Sequence, residues 1–75
     1  MTDLESDIIQ YIINVDRAVT VRELSEHLEY QGSDDEVRDV LENLLDEEYV
    51  SADLFGDKVR VTRYYPTDKL FIEFK

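Results

Sequence analysis

The chain has 75 residues, a net charge of −11 and no cysteine. This length makes one small domain that buries only about two-thirds of its unfolded surface, and the absence of cysteine excludes disulfides and thiolate metal sites. No apolar run approaches the ~18 residues of a membrane span, and Met1-Thr2-Asp3-Leu4-Glu5 lacks the basic and apolar regions of a signal peptide, so a cytoplasmic setting is expected.

Three capping boxes punctuate the first half: Thr2 with Glu5, Thr20 with Glu23, and Ser33 with Glu36. In each, a hydroxyl precedes a Glu by three residues, a pairing that satisfies two orphan amide donors at a helix start. Each box opens an apolar stripe at helical spacing. Leu4, Ile8, Ile12 and Val15, widened by Ile9 and Ile13, predict a first helix over about residues 3–15. Val21, Leu24 and Leu28 predict a second over 21–30. Val37, Val40, Leu41, Leu44 and Leu45 predict a third over 34–48. Tyr11 and Tyr30 extend the core at its edges. Asp16 to Val19 suits a brief extended segment, and Gly32 suits the turn of the helix pair.

From Val50 the period changes. Tyr49 to Leu54 is compatible with a strand, and Gly56-Asp57 is a hairpin signal. Lys58 to Arg63 alternates polar with apolar, which buries Val59 and Val61 and turns Lys58 and Arg60 outward. Pro66-Thr67-Asp68 turns the chain, and Leu70, Ile72 and Phe74 then share one face of a last predicted strand.

The spacing of Leu24 and Leu28, then Val37, Leu41, Leu44 and Val50, resembles that of the winged-helix family over about residues 5–65. The resemblance implies an α+β fold of three helices and a C-terminal antiparallel hairpin, the wing. Here an extra C-terminal strand is expected, all within one domain of residues 1–75. Two features depart from the family pattern. Glu48 and Tyr49 stand where a glycine often ends the third helix, and the turn between the second and third helices is slightly long. The family also implies a transcription-related setting and a third helix that enters the DNA major groove. The matching positions are Asp35, Arg38, Asp39 and Glu42.

Charge opposes that use. Residues 33–48 hold eight acids and one base, Arg38. Residues 1–54 carry 16 acids against Arg17, Arg22 and Arg38, a net of −13. Residues 55–75 carry five bases against three acids, a net of +2. Phosphate neutralisation by Lys and Arg supplies much of the affinity for DNA, and carboxylates near a polyanion oppose it. A salt-loving organism is an alternative origin for the acids, since at molar salt the Debye length falls to about 3 Å.

Other residues have bland readings beside sharp ones. Lys58, Arg60, Arg63 and Lys69 would track phosphate on a wing, or would neutralise helix acids and guard a sheet edge. The short strip and Asp57 favour the latter. Asp34-Asp35-Glu36 suits the positive end of a helix dipole, whereas Asp46-Glu47-Glu48 lies at the wrong end for that explanation. Tyr64 and Phe71 would pack at the core edge or contact a second subunit. His27, the one histidine, lacks a neighbouring nucleophile or second ligand, and no metal, cofactor, catalytic or small-molecule site is evident.

The sequence therefore predicts a non-enzymatic regulatory module. Its acidic third helix (Asp35, Asp39, Glu42, Asp46) would meet a basic protein surface, with homodimerisation through Tyr64 and Phe71. The alternative is direct DNA binding through Arg38, Lys58, Arg60 and Arg63.

Overall fold

A computed structural model describes residues 3–28 and 34–74. Among them the order is α1 (Asp3–Val15), α2 (Val21–His27), α3 (Asp34–Asp46), β1 (Val50–Phe55), β2 (Val61–Pro66) and α4 (Asp68–Phe74). This α+β layout of four helices and one antiparallel hairpin is compatible with a winged helix. None of the helices is long and apolar enough to cross a membrane.

The predicted stripes supply the core. Ile8, Ile9 and Ile12 of α1, Leu24 of α2, and Val37, Leu41 and Leu44 of α3 are buried together with Val19, Val50, Tyr64 and Leu70. The extended segment before α2 is real. Val19 and Tyr64 exchange two backbone hydrogen bonds of 2.9 and 2.8 Å, so Val19 covers the outer edge of β2 while sitting fully buried.

Thr20 caps α2, its Oγ1 accepting from the Glu23 amide at 3.1 Å. The reciprocal half of that box gives way to a tertiary contact. The Glu23 carboxylate instead accepts from Arg17 at 2.8 and 3.0 Å and from the Tyr11 hydroxyl at 2.5 Å, tying α1 to α2. The Arg17 guanidinium, with help from Tyr11, holds the Glu23 carboxyl below its ordinary range. Thr2, Ser33, Gly32 and Tyr30, on which other expected caps, the turn and the core edge depend, lie outside the described residues.

α3 ends without the glycine the family favours, yet keeps the backbone that glycine serves. Glu48 has φ +65°, its amide donates to Leu45 O (3.0 Å), and the Tyr49 amide donates to Leu44 O (2.9 Å). This is the Schellman pattern. Thr67 locks the same corner. Its amide donates to Tyr49 O at 3.1 Å, and its hydroxyl stands 2.8 and 2.9 Å from the carbonyl oxygens of Glu48 and Tyr49.

Two sequence expectations fail. The expected last strand is the helix α4. Leu70 and Phe74 lie four apart and pack toward the core, while Ile72, which a strand would have buried beside them, is 79% exposed. Alternation and helical spacing share positions i and i+4, so the short run satisfied both periods, and docking of Leu70 beside α1 selected the helix. The hairpin is also displaced: its strands are six residues each, but β2 runs from Val61 through Pro66, a residue expected in the following turn. β1 runs in register from Val50↔Pro66 to Phe55↔Val61, leaving Gly56–Arg60 as a five-residue loop. Gly56 has φ +116°, and a Cβ there would collide with the Val59 carbonyl. Val59, expected inside, is 78% exposed, and Val61 is exposed as well. The tip projects past the core, so alternation there has nothing to bury against.

These assignments can be checked by denaturant unfolding. Leu70→Ala should cost about 2–4 kcal/mol as a core truncation, whereas Ile72→Lys should change stability by less than about 0.5 kcal/mol; the reverse ranking would restore the strand. Glu48→Gly should stabilise by about 0.5–1 kcal/mol, because a side chain in the left-handed region is strained. Glu23→Gln should destabilise by about 1 kcal/mol at neutral pH. A carboxyl with a depressed folded pKa adds stability above its unfolded value of about 4.3. That contribution disappears as pH falls through the folded value, so the two proteins should converge in stability at low pH.

Candidate functional site

Burial of Val37, Leu41 and Leu44 fixes the rotation of α3. With 3.6 residues per turn, the residues diametrically opposite are Asp35, Asp39, Glu42 and Asp46, about one carboxylate per turn. All four are exposed. Asp35 pairs with Arg38 across one helical turn at 3.3 Å. Asp39, Glu42 and Asp46 form no ion pair among the described residues, and none of the described hairpin cations pairs with the stripe. Burial of the apolar face thus leaves these acids facing solvent.

The basic strip does not hold together. Arg63 belongs to β2, whereas Lys58 and Arg60 lie in the loop that precedes it. Arg63 lies on the outer face, opposite Asp53 in the register. It pairs with Asp53 at 3.4 Å, stacks 4.1 Å above the Phe55 ring and donates to the Tyr65 hydroxyl at 2.8 Å. Tyr65 in turn donates to Asp53. This hydrogen bond, with that of Arg63, holds the Asp53 carboxyl below its usual range. Arg63 is thus engaged within the hairpin and is withdrawn from the set of expected phosphate contacts. Lys69 is engaged too. Its Nζ donates to Glu47 O at 2.7 Å, at the negative end of the α3 dipole, and lies 4.6 Å from the Tyr49 ring centre. Lys58 stays on the exposed loop, and neither it nor Arg60 is ion-paired among the described residues.

Arg60 borders a feature that the sequence did not announce. A cleft of about 300 Å³ opens between the start of α2, the first turns of α3 and the beginning of β2. Arg22, Arg38 and Arg60 line it, one from each element, together with Asp34, Thr62 and Tyr64. Arg22 also pairs with Glu26 at 3.0 Å along its own helix. Asp34 accepts from the Ser25 hydroxyl at 2.9 Å. Arg38 was expected to face a ligand, but its grouping with Arg22 was not, since 15 intervening residues carry no common period that would align them.

Tyr64 forms the floor. It is only 3% exposed, so it cannot serve the second-subunit contact expected of it with Phe71. Phe71 is half-buried on α4. Burial pushes the Tyr64 phenol above its ordinary pKa, with Glu42 adding to the effect and Arg38 opposing it. His27 leans its ring on Tyr11, centroids 4.2 Å apart, from an exposed position on α2.

Two charged surfaces thus stand side by side: a solvated carboxylate stripe along α3, and a compact arginine-lined cleft at its flank. Comparison with protein-family models, with curated proteins and with solved structures finds no match to this chain.

Proposed function

We propose that the chain is a non-enzymatic winged-helix regulatory module, transcription-related and acting mainly through contacts of its acidic third helix with a basic protein surface. The carrying observation is that Asp39, Glu42 and Asp46 stay exposed and without ion pairs among the described residues, although the hairpin offers cations. Neighbouring carboxylates on one helix face lie about 5–6 Å apart, a spacing that Lys and Arg on a partner helix or strand can match. Exposed ion pairs contribute only about 0.2–1 kcal/mol each, so four of them give weak affinity. Their larger effect is on rate and partner choice, because a concentrated field of one sign steers encounter and repels like-charged competitors.

Direct binding of duplex DNA is the second reading, favoured by the convergence of Arg22, Arg38 and Arg60 in one cleft. Three arginines allow at most three phosphate contacts, for a salt slope of about −2.7. A duplex seated on α3 would press four carboxylates toward its backbone, one more than the cations that hold it. The balance favours the protein partner.

A titration separates the two. At low salt the protein should capture a lysine-rich synthetic peptide, lose it as salt rises, and leave a 20-base-pair duplex unretarded. Asp39→Lys combined with Glu42→Lys should weaken peptide capture at least tenfold. Tight duplex binding at low salt would defeat the protein-contact reading. A requirement for molar KCl merely to fold would make the acids a halophile's adaptation and would defeat it equally.

A further inference from the structure

We infer that the cleft between α2, α3 and the hairpin is a binding site for a single phosphate monoester, carried either by a small free molecule or by a phosphorylated side chain. The inference is independent of the acidic-face reading, and it supplies a ligand class that the sequence did not suggest.

Charge within the cleft is the first support. Arg22, Arg38 and Arg60 contribute three positive charges and Asp34 one negative among the lining groups. Arg22 and Arg38 each also pair with a carboxylate outside the lining, Glu26 and Asp35, so the surplus of two is offered to a monoester, of about −1.5 to −2 at neutral pH, as those exposed pairs open. In a chain of net charge −11, such a local positive surplus runs against composition.

Geometry is the second. The three arginines stand on three separate segments, α2, α3 and the hairpin loop, around one opening. A tetrahedral phosphate offers three terminal oxygens to such an arrangement, whereas a planar carboxylate offers two and is satisfied by one arginine fork. Among the described residues, Arg22 and Arg38 are held elsewhere by exposed pairs with Glu26 and Asp35. Pairs of that kind are worth little and yield readily to a dianion.

The third support is Tyr64. Its ring is buried, and its hydroxyl makes no hydrogen bond among the described residues. Among the described residues no buried side-chain oxygen or nitrogen is left unsatisfied, so that hydroxyl reaches solvent, and the cleft is the opening that Tyr64 lines. It is a free donor at the floor of a cationic site. Val21 and Val61 add apolar wall, and a volume of about 300 Å³ lies at the small end of ligand pockets. The space exceeds what a bare phosphate fills and leaves room for the group it esterifies.

Size also separates this ligand from nucleic acid. A compact ester enters the cleft without crossing the outer face of α3, while a duplex must lie along the stripe of Asp35, Asp39, Glu42 and Asp46.

Calorimetry and amide chemical-shift mapping test this on the intact chain at low ionic strength, with phenyl phosphate and a phosphoserine peptide as probes and benzoate and sodium chloride as controls. Phenyl phosphate should bind saturably, at least tenfold tighter than benzoate, with shifts clustered at residues 20–22, 38 and 60–64. Arg60→Ala and Arg38→Ala should each weaken it at least fivefold, Tyr64→Phe about two- to fivefold, and Arg63→Ala not measurably. Glu42→Gln should tighten it, while the same change weakens capture of a lysine-rich peptide, so the two surfaces fail separately. The arginines are exposed, and unchanged circular dichroism of each variant will show that lost binding is not lost folding. A phosphoserine peptide at least tenfold tighter than phenyl phosphate assigns the ester to a protein partner; equal affinity assigns it to a small molecule. Shifts reproduced by sodium chloride at equal ionic strength, equal sensitivity to Arg63→Ala, or displacement of phenyl phosphate by stoichiometric duplex would each overturn the inference.

Discussion

The rotation of α3 is the constraint from which the surface chemistry follows. Val37, Leu41 and Leu44 are buried, and a helix that buries one face must expose the opposite one. That opposite face carries Asp35, Asp39, Glu42 and Asp46. Turning it away from solvent would bring out three aliphatic side chains, each worth about 1.5–3 kcal/mol of burial, and bury carboxylates without partners. The hydrophobic core thus holds the acids outward more firmly than any polar contact does. Arg38, at the flank of the same helix, is carried to the edge of the cleft by the same rotation.

The corner after α3 positions everything downstream. Glu48 accepts a left-handed backbone so that the Tyr49 amide can close on Leu44, and Thr67, just past the hairpin, binds the carbonyls of Glu48 and Tyr49. Lys69 then caps Glu47 from the start of α4, and the Tyr49 ring packs edge-on against Phe74 with centroids 5.1 Å apart. Both ends of the hairpin are therefore tied to one point, and the Val19–Tyr64 bridge holds its free side. Anchored at its base, the hairpin extends an unsupported tip. This accounts both for the exposure of Leu54, Phe55 and Val59 and for the placement of Arg60 over the cleft.

The cations illustrate how tertiary contacts sort residues that look alike in the chain. Arg17 is drawn to Glu23, Arg63 to Asp53 and two rings, and Lys69 to a helix end. Each of these stabilises the fold locally. Among the described residues Arg22, Arg38, Lys58 and Arg60 remain, joined by exposed pairs or none, and the three arginines line one cleft. A strongly acidic protein thereby keeps one small positive concavity beside its most negative face, an arrangement that favours compact anions over extended ones.

The helices were legible because their signals are local. Helical spacing of Ile8 and Ile12 or of Val37, Leu41 and Leu44 depends on neighbours within two turns, as does the cap of Thr20 on Glu23. The carboxylate stripe followed from the same period. What required the folded chain were choices that local pattern leaves degenerate. Leu70 and Phe74 satisfy a strand and a helix equally until α1 offers Leu70 a place in the core. Alternation from Lys58 to Arg63 says nothing about where the hairpin outruns the core, and so misassigned Val59. The cleft joins residues 22, 38 and 60, brought together only by packing of three elements. Local periodicity decides which face of an element is apolar, but the meeting of elements distant in sequence is decided by the shape of the whole core.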